Sequence, residues 1–307
     1  MSTFFRNLTL YSFPSETAKR LDDLGATLND HRLRPCGPIE MRTRGFVSPY
    51  NHADDSLVHT FKDFTLITVG GEDKLLPASV VNDALDKKLS EIQRKEQRRV
   101  GAKERKRLKD EIVTDLLPRA FVRSSRQNAY LDTAHGWLVV DTSSRRVGEE
   151  IVSLIREAVG RFPAMYPATG EPPRVILTDW LGGGSLPDGV SLGDECGLRD
   201  PAEAGSTWQG KKTDLQCDEV SEHLRSGKQV FQLGLIYKDR ISFVIADDLT
   251  IRKVRFLDGV VEELDNEEHD TTESLLNASF FLMASELRQL LSAVSTWFAI
   301  ERAPDQA

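Results

Sequence analysis

Residues 87–109, KKLSEIQRKEQRRVGAKERKRLK, carry eleven lysines and arginines against three glutamates, a formal charge of +8. The chemistry open to such a run is the neutralisation of phosphates, and its candidate contacts are Lys87, Lys88, Arg94, Lys95, Arg98, Arg99, Lys103, Arg105, Lys106 and Arg107. The whole chain stands at −8, so everything outside this run sums to −16. One basic element in an acidic body attracts a polyanion at a single place and repels it elsewhere. Nucleic acid is the partner expected. The competing reading is a solvated helix face that binds nothing.

Other cations extend the signal. Arg119, Arg123 and Arg126 surround a lone Phe121, and Lys211, Lys212 and Lys228 add charge in the second half of the chain. No helix-turn-helix signature, zinc finger or RNA-recognition motif accompanies them, so the expected contacts are with phosphates, which tolerate sequence and weaken steeply with salt. Phe121 has three open roles: stacking on a base, wedging into another subunit, or filling a core.

Competing chemistries have weaker support. Cys36, Cys196 and Cys217 are far apart and form no C-x-x-C pair, and His31 with Cys36 is an isolated neighbour pair, so no metal centre or cofactor is expected. Gly182, Gly183 and Gly184 lack the phosphate-cradling spacing, Gly227-Lys228 is followed by Gln229, and no G-x-S-x-G elbow is present. A metal-dependent nuclease would rest on Asp247 and Asp248 or on the eight carboxylates of 258–273. It stands as one alternative; a protein-interaction module using the basic run is another.

The elements that must position these residues read as follows. Alternating apolar residues predict a strand within 4–13, then a helix on Ala18, Leu21, Leu24 and Leu28. Loop is expected over 34–56 with a short extended piece at 45–47, then a hairpin across 57–74 turning at Lys62-Asp63. Val81, Ala84, Leu85, Leu89 and Ile92 form an apolar stripe entering the basic run, which thins to Val100 and Leu108 before Ile112, Val113, Leu116 and Leu117 restore it. This predicts an antiparallel helical hairpin with an apolar root and a basic tip, reversing at Gly101. A strand hairpin near His135-Gly136 and a helix over 145–159 complete an α+β unit of 1–76 and 119–170, into which 77–118 is inserted. The prolines at 163–173 mark a boundary to a second α+β part, 171–307, with a three-strand meander and a long C-terminal helix. The fold class expected is α+β, with antiparallel sheets and packed helices. No apolar run suits a membrane span and the N-terminus lacks a signal-peptide pattern, so a cytoplasmic protein is expected.

Six segments in order, FRNLTLYSF (5–13), RPCG (34–37), KLLP (74–77), LKDEIVTDLLPRAF (108–121), KKTDL (211–215) and FLMASEL (281–287), resemble the bacterial recombination-associated protein RdgC family. That resemblance implies a homodimer closed into a ring, with helical fingers meeting across a gate and a positively charged hole around double-stranded DNA. Single-stranded DNA is a second form of ligand that the same reading allows. It further implies a nucleoid-associated protein without catalytic activity that limits the RecA recombinase's access to DNA during recombination and replication-fork repair. On the matching positions, Phe121 and Arg119 would lie at the gate, and Lys212 and Lys228 would face the DNA.

Overall fold

The computed structural model describes residues 4–50, 55–202, 205–265 and 271–301. Strand β1 (Thr9–Ser12) is buried throughout and leads over Pro14 into two short helices, α1 (Ser15–Ala18) and α2 (Leu24–Leu28). The single helix expected here is broken: Asp22 and Asp23 are poor helix formers, and the chain unwinds over residues 19–23 between the two pieces. Leu21, Leu24 and Leu28 are nonetheless all buried, so their spacing reports burial and not one continuous helix.

Strand β2 (Arg42–Val47) extends beyond the short piece expected at 45–47, because its whole length pairs with β4. Strands β3 (Val58–Phe61) and β4 (Phe64–Leu75) form the predicted hairpin, with Lys62 in the left-handed region at the turn. Helices α3 (Ala78–Glu96) and α4 (Ala102–Leu116) follow, and a 3₁₀ turn at Leu117–Arg119 leads into β5 (Phe121–Asp132). β5 pairs with β6 (Trp137–Val140) in the second expected hairpin. Gly136 is required there: its φ is +63°, and a Cβ would lie 2.3 Å from the Phe13 carbonyl oxygen.

Helix α5 (Arg145–Val159) and the short strand β7 (Ala168–Thr169) precede α6 (Pro173–Leu181), a helix with proline in its first turn. Strands β8 (Val190–Arg199) and β9 (Thr207–Lys211) occupy a segment whose residues show no clear periodicity. Helix α7 (Asp218–Arg225) leads into the predicted meander of β10 (Gln229–Tyr237), β11 (Ile241–Ala246) and β12 (Ile251–Phe256). Helix α8 (Asp258–Asp265), the long α9 (Thr272–Trp297), whose N-cap Thr271 accepts from the Ser274 amide, and β13 (Ile300–Glu301) close the described chain.

The chain divides into two compact units. The first comprises Met1–Thr27, Val58–Ile67 and Asn128–Ala307. It contains the pairings of β1, β6, β5, β4 and β3, and a five-stranded antiparallel sheet in the order β12-β11-β10-β8-β9. Leu8 bridges to Ile251 between them. α9 buries Phe280, Met283, Leu287, Leu290 and Leu291, and Phe280 meets Phe64 and Tyr130 edge-on. Such aromatic contacts add to burial already worth roughly 25 cal/mol per Å². The second unit, Leu28–Leu57 and Thr68–Gln127, contains β2, the remaining halves of β4 and β5, and the helix pair α3/α4. The protein is α+β with antiparallel sheets, and among the described residues no helix is long and apolar enough to cross a membrane.

Candidate nucleic-acid interface

Helices α3 and α4 pack through Val81, Leu85, Leu108 and Ile112, with Leu76, Ala84, Leu89, Ile92, Val100, Val113 and Leu116 around that cluster. The apolar spacing thus forms the root expected of it. At about 1.5 Å per residue the 19 residues of α3 run about 28 Å. The reversal is placed differently from expectation. α3 ends at Glu96, Gln97 takes the left-handed conformation (φ 53°) with its amide on the Gln93 carbonyl, and Gly101 is the N-cap of α4 in extended geometry. Glycine is accepted at an N-cap as well as after a helix end, so sequence alone did not separate the two.

From residue 93 to 107 every residue is exposed except the half-buried Val100 and Glu104. The cations there fall into two groups. Arg98 is held by a fork to Glu104 (2.7 and 2.8 Å) and by Glu96 (2.6 Å), which raises its pKa further and lowers that of Glu104. Lys88 and Arg107 approach Glu111 at 3.6 and 3.5 Å, and Arg105 approaches Asp86 at 3.7 Å. These four are partly neutralised within the helix pair. Among the described residues, Lys87, Arg94, Lys95, Arg99, Lys103 and Lys106 have no carboxylate within ion-pair distance, and all six are at least partly exposed. Arg98 is therefore better placed to fix the loop between the helices than to meet a ligand.

The 3₁₀ turn places Arg119 in the open, and β5 then runs as a strand from Phe121, with residues 121–126 all exposed. Phe121 is 81% exposed, which removes the core role from its three options. Arg123 is exposed, and Arg126 donates to the carbonyls of Ser48 and Pro49. The turn is anchored from beneath. Lys74 is buried, and its ammonium donates to the Leu117 carbonyl (2.8 Å) and the Pro38 carbonyl (2.7 Å). Its strong charge-assisted bonds fix the backbone just before Arg119 and Phe121. Ile39, Met41, Leu75, Val80 and Val122 in the same unit are also exposed apolar side chains.

The remaining predicted cations belong to the first unit. Lys211 and Lys212 are exposed at the end of β9, and Lys228 has its ammonium 3.2 Å from His223 Nδ1. Lys211 and Lys212 line a groove of about 740 Å³ on the five-stranded sheet, together with Lys253 and Arg255 of β12. Sequence reasoning missed those last two. Their signal was a cation-rich run, Arg252, Lys253 and Arg255, within the last strand of the meander.

Of the nuclease alternative's residues, Asp247 and Asp248 lie together in the turn after β11. Asp247 follows β11 with its amide on the Phe231 carbonyl; burial raises its carboxyl pKa, opposed by Arg199. Asp248 caps the Thr250 amide at 3.0 Å, and its carbonyl accepts from the Tyr166 hydroxyl. Among the described residues no three His, Cys, Asp or Glu gather to hold a metal. The acidic stretch at 258–273 lies partly outside the described residues.

Fold and surface together define an α+β protein of antiparallel sheets that carries a basic, exposed helix pair. Comparison with known proteins narrows this class to one family. The family described as "Putative exonuclease, RdgC" matches residues 3–301. The chain is similar to proteins named "Recombination-associated protein RdgC": from Xanthomonas campestris pv. campestris (strain B100), 49% identical over 288 residues, covering 94% of this chain and 95% of the relative; and from Xanthomonas oryzae pv. oryzae (strain MAFF 311018) and Stenotrophomonas maltophilia (strain R551-3), each 46% identical over 301 residues, covering 98% of this chain and 99% of the relative. The chain belongs to the RdgC family.

Proposed function

We propose that this protein binds DNA without regard to sequence, closes as a dimeric ring around the duplex, and thereby limits the access of the RecA recombinase during recombination and replication-fork repair. The observation that carries the reading is the exposed stretch at 93–107, where Arg94, Lys95, Arg99, Lys103 and Lys106 stand free of internal carboxylates among the described residues. Residues 77–118 act as the finger, 1–76 with 119–170 as the central part and 171–307 as the base. Phe121, 81% exposed beside Arg119, supports an apolar gate contact between two copies, since an exposed aromatic anchor is a common centre of protein interfaces.

A ring leaves a topological signature. Protein loaded on closed circular plasmid stays bound through a wash at about 1 M salt, which strips electrostatic contacts, while the same plasmid linearised after loading releases it. Phe121→Ala reduces retention on the circle to the level of the linear form. Equal release from circular and linear DNA by the unaltered protein would rule out closure.

The family description as a putative exonuclease motivates a second reading, a metal-dependent nuclease at Asp247 or Asp248. Degradation of end-labelled duplex on adding Mg²⁺ or Mn²⁺, abolished in Asp247→Asn or Asp248→Asn, would support it.

A further inference from the structure

Three irregularities converge on one ion pair on the face of the five-stranded sheet. Lys253 Nζ lies 2.7 and 2.6 Å from the two carboxylate oxygens of Glu195. Lys253 is on β12 and Glu195 on β8, with β11 and β10 between them, so the pair spans three strand intervals, about 14 Å. The first irregularity lets the lysine start across: Lys253 has φ 53°, a conformation non-glycine residues rarely adopt, where the β11 register jumps from Val244↔Arg252 to Ser242↔Arg255. The second raises the carboxylate: Leu233 pairs with Cys196 and Leu235 with Leu192, so Gly193, Asp194 and Glu195 all stand against Gly234. The third permits that bulge, because a side chain at Gly234 would meet Glu195 backbone at 2.9 Å, and one at Gly193 would meet Gly234 backbone at 3.0 Å.

Of the described non-glycine residues with positive φ, Lys253 is the one that lies inside a strand, where the strained backbone marks a candidate functional position. The pair lines the groove that also contains Lys211, Lys212 and Arg255, with Asp194 the other carboxylate on its wall. Glu195 is well seated, its side chain 13% exposed, whereas the lysine is 50% exposed and open to a ligand from solvent.

We infer that Glu195 is a built-in competitor for Lys253, its carboxylate occupying in the free protein the place that a nucleic-acid phosphate takes in the complex. The inference rests on the DNA-binding reading above and adds to it a subsite, Lys253 with Arg255, and a restraint on that subsite's affinity. An unliganded ammonium would attract any passing anion; one already paired exchanges its partner only where neighbouring cations hold the polyanion in place.

The test measures fluorescence anisotropy of a labelled duplex over a salt series with the full chain, Glu195→Gln, Lys253→Met and the double variant, each checked for folding by circular dichroism. Glu195→Gln tightens binding about two- to fivefold at fixed salt, the range a partly exposed ion pair is worth. Lys253→Met weakens binding and lowers the magnitude of the log–log salt slope by about 0.9, one phosphate. In the double variant the gain from Glu195→Gln disappears. A gain that persists without Lys253 would reduce the effect to general charge removal and overturn the inference, as would an unchanged slope in Lys253→Met, which stays decisive even if Glu195→Gln fails to fold. Absence of duplex binding by the unaltered chain would instead overturn the DNA reading, and this inference with it.

Discussion

Replacing Arg94, Lys95, Arg99 and Lys103 by glutamate will weaken duplex DNA binding about a thousandfold at about 0.1 M salt, taking roughly 1 kcal/mol for each phosphate left without its cation and a tenfold change per 1.4 kcal/mol. All four side chains are exposed and lack internal carboxylate partners among the described residues. The apolar root at Val81, Leu85, Leu108 and Ile112 is untouched, so the helix pair should keep its structure. Glutamates in the last turn of α3 oppose the helix dipole, which costs a few tenths of a kcal/mol and is checked by a thermal melt. The matched control replaces four cations already near internal carboxylates, Lys88, Arg98, Arg105 and Arg107, and is expected to weaken binding distinctly less. Equal weakening by the two sets would show that local pairing does not decide which cations meet DNA.

The second large effect concerns stability. Arg288 of α9 makes a bidentate contact with Asp132 (2.7 and 2.8 Å), lies 3.4 Å from Asp63, and stacks over the Phe64 ring at 4.1 Å. Asp132 is 2% exposed and also receives the His135 amide. One guanidinium therefore ties the long C-terminal helix to the turns of both strand hairpins. Arg288→Met leaves a buried carboxylate without its cation, which lowers stability by about 3–5 kcal/mol in denaturant unfolding. The double variant with Asp132→Asn recovers part of that, because the uncompensated charge is gone. A decrease below about 1 kcal/mol would mean that Asp132 is resolvated and that the ion pair is incidental.

The elements that bury a regular apolar pattern were legible in the sequence. The α3/α4 root, the hairpins at Lys62-Asp63 and His135-Gly136, the β10–β12 meander and α9 all follow from spacing and turn residues. Departures arose where local chemistry and burial disagree. Leu21, Leu24 and Leu28 are buried in helical spacing, yet the helix is split over residues 19–23, where Asp22 and Asp23 lie. The first half of β5, FVRSSR, has no alternation because all six residues are exposed, so no period-2 signal could mark it as strand. The candidate site was legible in its charge but not in its pairing. That Arg98 is occupied by Glu96 and Glu104 depends on a tight loop beginning at Gln97, and that Lys253 meets Glu195 depends on strand order and two bulges, neither of which composition encodes.

The central claim is sequence-tolerant binding to the phosphates of duplex DNA through the exposed cations, and the dependence of affinity on salt for two duplexes of unrelated sequence tests it most directly. With about six to ten phosphates neutralised, log K falls against log salt with a slope of about −5 to −9, and the two sequences give superimposable lines. An affinity that ignores salt, or lines displaced by several orders of magnitude between the two sequences, would contradict it.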